Sequence, residues 1–197
     1  MPNQPTILCR ELSLLAFNRR VLAQARDEGV PLLERLRFLC IVSSNLDEFF
    51  EVRMAWLKKE SQLNPHTLLD NGTTPAETMA AAAAEAKKLI QEQYELFNKE
   101  LVPELRQEGI FFYPRRQWTD QQRAWIESYF DRELLPILTP LGLDPAHPFP
   151  RLLNKSLNFV VSLSGKDAFG RASGMAVVQA PRILPRVVKL PEELSEG

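Results

Sequence analysis

Asn45, Phe49 and Arg53 stand at i, i+4 and i+8 spacing, which stacks them in one stripe wherever the segment is helical. An amide, an aromatic ring and a guanidinium in that order could bind a nucleotide. The amide would meet a base edge or ribose, the ring would stack, and the arginine would meet phosphate. They belong to the run Ser43–Arg53, where polar groups alternate with large apolar ones directly after Phe38–Val42. Polar groups held at the edge of a core are where binding sites are built. A plainer arrangement uses the same residues. Ser44 or Asn45 caps a helix with Glu48 reaching back in a capping box. Phe49 then enters the core, and Arg53 pairs with Glu51 or a neighbouring helix. Spacing alone favours the plainer arrangement.

Other catalytic patterns are absent. The sequence holds neither G-x-x-x-x-G-K-[ST] nor G-x-G-x-x-G, so no standard glycine loop cradles phosphate. The two histidines are His66, in an Asn-Pro loop, and His147, between prolines in Asp144–Pro150. A histidine in a proline-rich turn reads as a hydrogen-bonded turn residue rather than a nucleophile. Asp47 and Glu48 are adjacent, so on a helix they diverge by about 100° and chelate poorly. They read as a solvated or capping pair.

These residues need a scaffold, and the composition supplies one. The chain has 197 residues, 45% hydrophobic and 25% charged, enough to bury a core, with a net charge of −1. That balance does not mark a nucleic-acid or anionic-membrane binder. Two cysteines, Cys9 and Cys40, without metal spacing read as reduced thiols. Residues Met1–Arg10 lack an export pattern, and no apolar run reaches the roughly 20 residues that span a bilayer. A soluble cytoplasmic protein is expected, with peripheral membrane association left open.

Ser13 is the expected cap of a first helix with Leu14, Phe17, Val21 and Ala25 on one face, ended by Gly29 and Pro31. A second helical segment starts near Pro31 with Leu33, Leu36 and Cys40 in register. It either breaks at Ser43–Asn45 or runs on through Leu46, Phe50, Met54 and Leu57. Asn64-Pro65 and Asn71-Gly72 mark a loop. Met79, Ala83, Ala86, Ile90, Tyr94, Phe97, Leu101 and Leu105 then step by three or four along a long helix. Pro103 should bend or tighten its last turns and Gly109 close it. The spacing thus predicts a helical antiparallel bundle over residues 1–108.

Residues 109–197 read as an incomplete α+β domain. Ile110–Tyr113 is β-like, and Thr119-Asp120 caps a helix through Trp125, Tyr129 and Leu134. Pro136–Pro150 reads as irregular. Leu157–Leu163 and Met175–Ala180 are β-branched runs expected to pair antiparallel, with a short strand at Arg186–Val188. The fold class expected is therefore multi-domain: α, then α+β.

Three long stretches add a resemblance. Glu11–Leu22, Pro31–Leu39 and Ser44–Arg53 closely resemble the opening of the bacterial polyphosphate kinases that use a phosphohistidine. Leu138–Pro140, Asp144–Pro150, Asn154–Asn158 and Ile183–Arg186 resemble the middle, or head, domain of that family, in the same order. The resemblance implies reversible transfer of the terminal phosphate of ATP to inorganic polyphosphate, with Mg²⁺. It also implies a helical N-terminal domain, a head domain used in dimer contacts, and two further domains that hold the phosphohistidine and the magnesium. Asn45 matches the family's ATP-contacting asparagine and is the one site residue carried over. Arg37, Asp47, Glu48, Phe49 and Arg53 match the motif without an assigned role, and His147 belongs to the head-domain motif rather than being the phosphohistidine.

The chain stops at Gly197, inside the stretch resembling the head domain, so this portion is expected to position ATP and to contain no catalytic residue or metal site. Covalent transfer needs nucleophile, metal and cationic clamps together, and the isolated chain is expected to be inactive. Two rivals remain: a stand-alone, non-catalytic nucleotide-binding or dimerisation module, and a helical adaptor without a ligand.

Overall fold

The structure, a computed structural model, describes residues 8–144, 148–165 and 174–195. His147 and most of the loop between the two β-branched runs lie outside the described residues. The chain divides into two units, Met1–Phe112 and Tyr113–Gly197.

The first unit is helical. Its first helix, α1, spans Arg10–Arg26, four residues earlier at its start than a Ser13 cap requires. Cys9 is the N-cap, and the Ser13 hydroxyl instead donates back to the Cys9 carbonyl at 2.8 Å. That i−4 bond is the usual use of a serine inside a helix. The buried face is Glu11, Leu15, Asn18, Leu22 and Ala25, one residue away from the expected stripe. Of the expected face only Ala25 is buried, and Leu14 and Phe17 are exposed. Glu11 and Asn18 can face inward because both find partners on the helical segments that follow, described below.

Helix α2, Leu32–Glu48, buries Arg35, Leu39, Val42 and Leu46, again one position off Leu33, Leu36 and Cys40. It does not break at Ser43–Asn45, so no capping box forms there. The chain runs on through a π-helical stretch, Phe49–Met54, into α3, Ala55–Leu63. A π turn holds one residue more than an α turn. The inward positions 35, 39, 42, 46 and 49 extrapolate to 56, yet Leu57 is buried and Trp56 is 41% exposed. The inserted residue accounts for the slip.

Helix α4, Pro75–Leu96, begins at Thr74 with a complete capping box to Glu77. Replacing Thr74 with alanine is expected to cost about 1 kcal/mol of stability, read as a lower urea midpoint at unchanged slope. A second π stretch, Phe97–Leu101, leads into α5, Val102–Gln107. Pro103 explains it, because the ring has no N–H to offer the carbonyl of Lys99 and crowds it. Buried Leu96 is followed by buried Leu101, a step of five where an α-helix takes three or four.

Gly109, at φ +78°, closes α5 as expected. Its N–H reaches Arg106 O at 3.2 Å and the N–H of Ile110 reaches Leu105 O at 2.8 Å, the Schellman pair. Ile110–Tyr113 therefore forms no strand: its backbone begins in a helix cap. Helices α1 and α2 pack together, α1 and α3 both meet α4, and Leu22, Val42, Ala82, Ala86, Leu89 and Leu96 lie at the centre of the core.

In the second unit, Thr119 caps helix α6, Asp120–Tyr129, through a capping box with Gln122, as the sequence suggests. Gln122 is buried and also donates to the Leu194 carbonyl at 2.8 Å. Three strands follow: β1 (Pro140–Gly142), β2 (Asn158–Ser162) and β3 (Met175–Gln179). They form an antiparallel sheet ordered β1-β3-β2, with Val177 opposite both Leu141 and Val160. The pairing of the two β-branched runs matches expectation. The third strand does not: it lies at Pro140–Gly142 within the stretch read as irregular, while Arg186–Val188 forms no strand. Pro140 is tolerated because β1 is an edge strand. No helix of the described residues is long and apolar enough to cross a membrane.

Candidate functional site

The helical register decides where the polar residues of Ser43–Arg53 point. Asn45, Phe49 and Arg53 keep their common stripe, and all three line a cavity of about 310 Å³ facing α1. Leu14, Phe17 and Asn18 form the α1 side, and Arg10 and Glu48 add charge. The π stretch runs along this cavity, and such turns often occur at functional sites because they displace side chains from helical positions.

Asn45 is held by a short amide chain. Its Nδ2 donates to Asn18 Oδ1 at 3.0 Å, and Asn18 Nδ2 donates to the Val42 carbonyl at 3.1 Å. Asn18 is buried to 3% exposure, while Asn45 is half-buried at the cavity. Phe49 belongs to the core at 6% exposure and supplies a wall.

Arg53 is committed to α1. Its Nη2 donates to Glu11 Oε1 at 2.5 Å and its Nε to the same oxygen at 3.2 Å. Its guanidinium also lies 5.4 Å from the centre of the Trp56 ring. Burial alone would raise the Glu11 pKa. The Arg53 hydrogen bond, a backbone N–H, the Arg53 charge and the Cys9 thiol outweigh it, so Glu11 titrates below the ordinary glutamate range. The expected pairing of Arg53 with a neighbouring helix is therefore the one realised, but deep at the helix interface. A second cavity, of about 600 Å³, adjoins the first, sharing Arg10 and Arg53 and adding Trp56 and Asp70. Cationic groups thus stand at the junction of two concavities.

This arrangement offers an apolar slot with one oriented amide and a cationic edge. Comparison with known proteins gives it a family. The model of the polyphosphate kinase N-terminal domain matches residues 7–113, and that of the polyphosphate kinase middle domain matches residues 121–197. The chain belongs to the polyphosphate kinase family. It is 74% identical over 197 residues to a polyphosphate kinase of Neisseria meningitidis serogroup B, covering all of this chain and 29% of that one. It is 57% identical over 189 residues to one from Burkholderia ambifaria, covering 96% of this chain and 28% of the relative. The crystal structure of the polyphosphate kinase from Porphyromonas gingivalis superposes with a TM-score of 0.73 at 28% identity, covering 93% of this chain and 26% of that one. The chain thus spans under a third of the length of these relatives.

Among the motif residues of this polyphosphate kinase family member, the fold separates two groups. Asn45, Glu48, Phe49 and Arg53 meet at the cavity. Arg37 does not: it is exposed on α2 and pairs with Glu34 at 3.7 Å. Asp47 is exposed and lines neither cavity. The spacing argument missed Asn18 and Arg10. The signal for Asn18 was a polar residue seven before Ala25, on a stripe containing Leu15 and Leu22, which periodicity discounts. Among the described residues no group of three or more His, Cys, Asp or Glu is placed to hold a metal ion.

Proposed function

We propose that this chain is the N-terminal portion of a polyphosphate kinase, which reversibly transfers the terminal phosphate of ATP to inorganic polyphosphate, and that its own share is to hold ATP. The observation that carries the reading is the oriented Asn45 amide in a cavity with apolar walls and Arg10 and Arg53 at one edge. The base enters the apolar slot and meets Asn45. The phosphates extend toward the guanidinium groups, of which Arg53 is already neutralised by Glu11 and Arg10 is exposed. The phosphohistidine and Mg²⁺ belong to other parts of such an enzyme, so the chain by itself transfers no phosphate.

Titration of ATP into the 197-residue chain and into Asn45→Ala tests this. Losing one net hydrogen bond should weaken ATP about tenfold. Equal affinity in the two proteins would remove Asn45 from the site. Labelled ATP, magnesium and polyphosphate should leave the chain unlabelled and the polymer unextended, and either product would overturn its inactivity.

The second unit is assigned the dimer contacts. Phe159 and Val160 of β2 are 52% and 65% exposed and Ile183 is 89% exposed. Apolar surface of this kind is what a second copy covers. A monomer in sedimentation at high concentration would count against it. A stand-alone nucleotide-binding or dimerisation module remains the alternative, sharing these outcomes.

A further inference from the structure

The amide chain from Val42 through Asn18 to Asn45 has a direction, and the direction decides what Asn45 shows to the cavity. The Val42 carbonyl can only accept, so the end of Asn18 that meets it must be Nδ2, at 3.1 Å. Asn18 is left with Oδ1 toward Asn45, again an acceptor. Asn45 must therefore turn its own Nδ2 inward, at 3.0 Å. Its Oδ1, which bonds no other group among the described residues, is turned away from Asn18. A carboxamide is nearly the same shape either way round, so packing alone would not select one orientation. The buried backbone carbonyl does.

We propose that Asn18 is a positioning residue: by fixing the polarity of the Asn45 amide it makes the cavity select a 6-aminopurine over a 6-oxopurine. The inference rests on the assignment of a nucleotide base to this cavity. An amide oxygen accepts from the exocyclic amine of adenine. The O6 of guanine is an acceptor, and against Asn45 Oδ1 it leaves two lone-pair groups facing each other without a proton between them. Asparagine pairs with the amine and ring nitrogen of adenine for the same reason in other contexts. Reversing the Asn45 amide to suit guanine would set its Nδ2 away from Asn18 and its Oδ1 against Asn18 Oδ1. A buried acceptor would then be stranded. Specificity arises at a residue on the far side of the one that makes contact.

The test is the ratio of GTP to ATP dissociation constants, measured by direct titration into the 197-residue chain and three variants. The unaltered chain should prefer ATP by about tenfold or more, the size of one mispaired hydrogen bond. In Asn18→Leu the Asn45 amide can turn either way, and the ratio should fall to within about threefold of one. In Asn18→Asp an acceptor still faces Asn45, and a protonated carboxyl can still donate to the Val42 carbonyl, so the preference should persist. A merely structural role for Asn18 would weaken both nucleotides alike and leave the ratio unmoved. No preference in the unaltered chain, a full preference in Asn18→Leu, or its loss in a folded Asn18→Asp would each overturn the proposal while ATP binding stands. ATP affinity indifferent to Asn45→Ala would overturn the base assignment itself and the proposal with it.

Discussion

Arg35→Met is expected to destabilise the helical unit by about 3 kcal/mol in chemical denaturation. Arg35 is 3% exposed on the inner face of α2. Its Nε donates to the Ala25 carbonyl at 3.0 Å, and its Nη1 meets Glu104 Oε2 of α5 at 2.5 Å. Ala25 lies in the last turn of α1, where carbonyls have no partner within the helix, and it is fully buried. The guanidinium therefore caps one helix and clips a second. Buried ion pairs can often be replaced by apolar groups at little cost, and Arg35 Nη2, which has no partner among the described residues, argues in that direction. The Ala25 carbonyl decides the sign. Methionine fills much of the volume but leaves that acceptor buried and unbonded, at about 1–3 kcal/mol, and forfeits a charge-assisted bond.

The partner variant separates these contributions. Glu104 is 37% exposed, so after Arg35→Met its carboxylate can turn to water at little cost. Glu104→Ala does the reverse and strands a guanidinium that cannot deprotonate. It should cost as much as Arg35→Met although it removes the more exposed residue. The double variant should then cost clearly less than the sum of the two. A loss below about 1 kcal/mol for Arg35→Met would mean that water reaches the Ala25 carbonyl.

The same kind of residue marks where the sequence was readable. The long central helix, a disturbance near Pro103, the Gly109 stop and the β2–β3 pair all follow from local chemistry: a missing N–H, a positive φ, a run of β-branched residues. The faces of α1 and α2 do not. Periodicity chose Leu14 and Phe17 over Glu11 and Asn18 because it ranks side chains by hydrophobicity. The true inner stripe contains polar groups whose partners lie far away in sequence: Arg53 for Glu11, Val42 and Asn45 for Asn18, Glu104 for Arg35. Each can be buried only because another helix satisfies it, and no window of one helix contains that information. The stripe Asn45–Phe49–Arg53 was legible because all three residues lie on one segment. The amide that orients Asn45 was not. Strand β1 escaped for another reason, since its Pro-Leu-Gly sequence becomes a strand only beside β3.

Acid should weaken the helical unit through Glu11, and the deficits of both variants of its ion pair should shrink as pH falls. Glu11 has a pKa below its unfolded value, so the folded state binds its proton less readily. Its stabilisation is fully present above the ordinary glutamate value and is lost as pH falls through the depressed one. Arg53→Met removes the cause of the depression and leaves a carboxylate 5% exposed. At neutral pH that should cost about 2–4 kcal/mol, toward the lower end because Arg53 itself is 24% exposed. In this variant the Arg53 contributions are gone, so the Glu11 pKa moves up and acid removes less stability than it does from the unaltered chain. The deficit should therefore shrink as pH is lowered from neutral. Glu11→Gln keeps an oxygen for Arg53 to donate to, has nothing to titrate, and should give a deficit that vanishes in acid because only the unaltered chain loses stability there. Glu77, held down by the Thr74 backbone and hydroxyl, and Glu85, held down by Lys88 and then Arg19, add the same acid slope to all three proteins and cancel in the differences. Urea midpoints across the acid range measure those differences. A deficit for Arg53→Met that stays constant as pH falls would show that Glu11 is solvated, and the pair would then be no more than a surface contact.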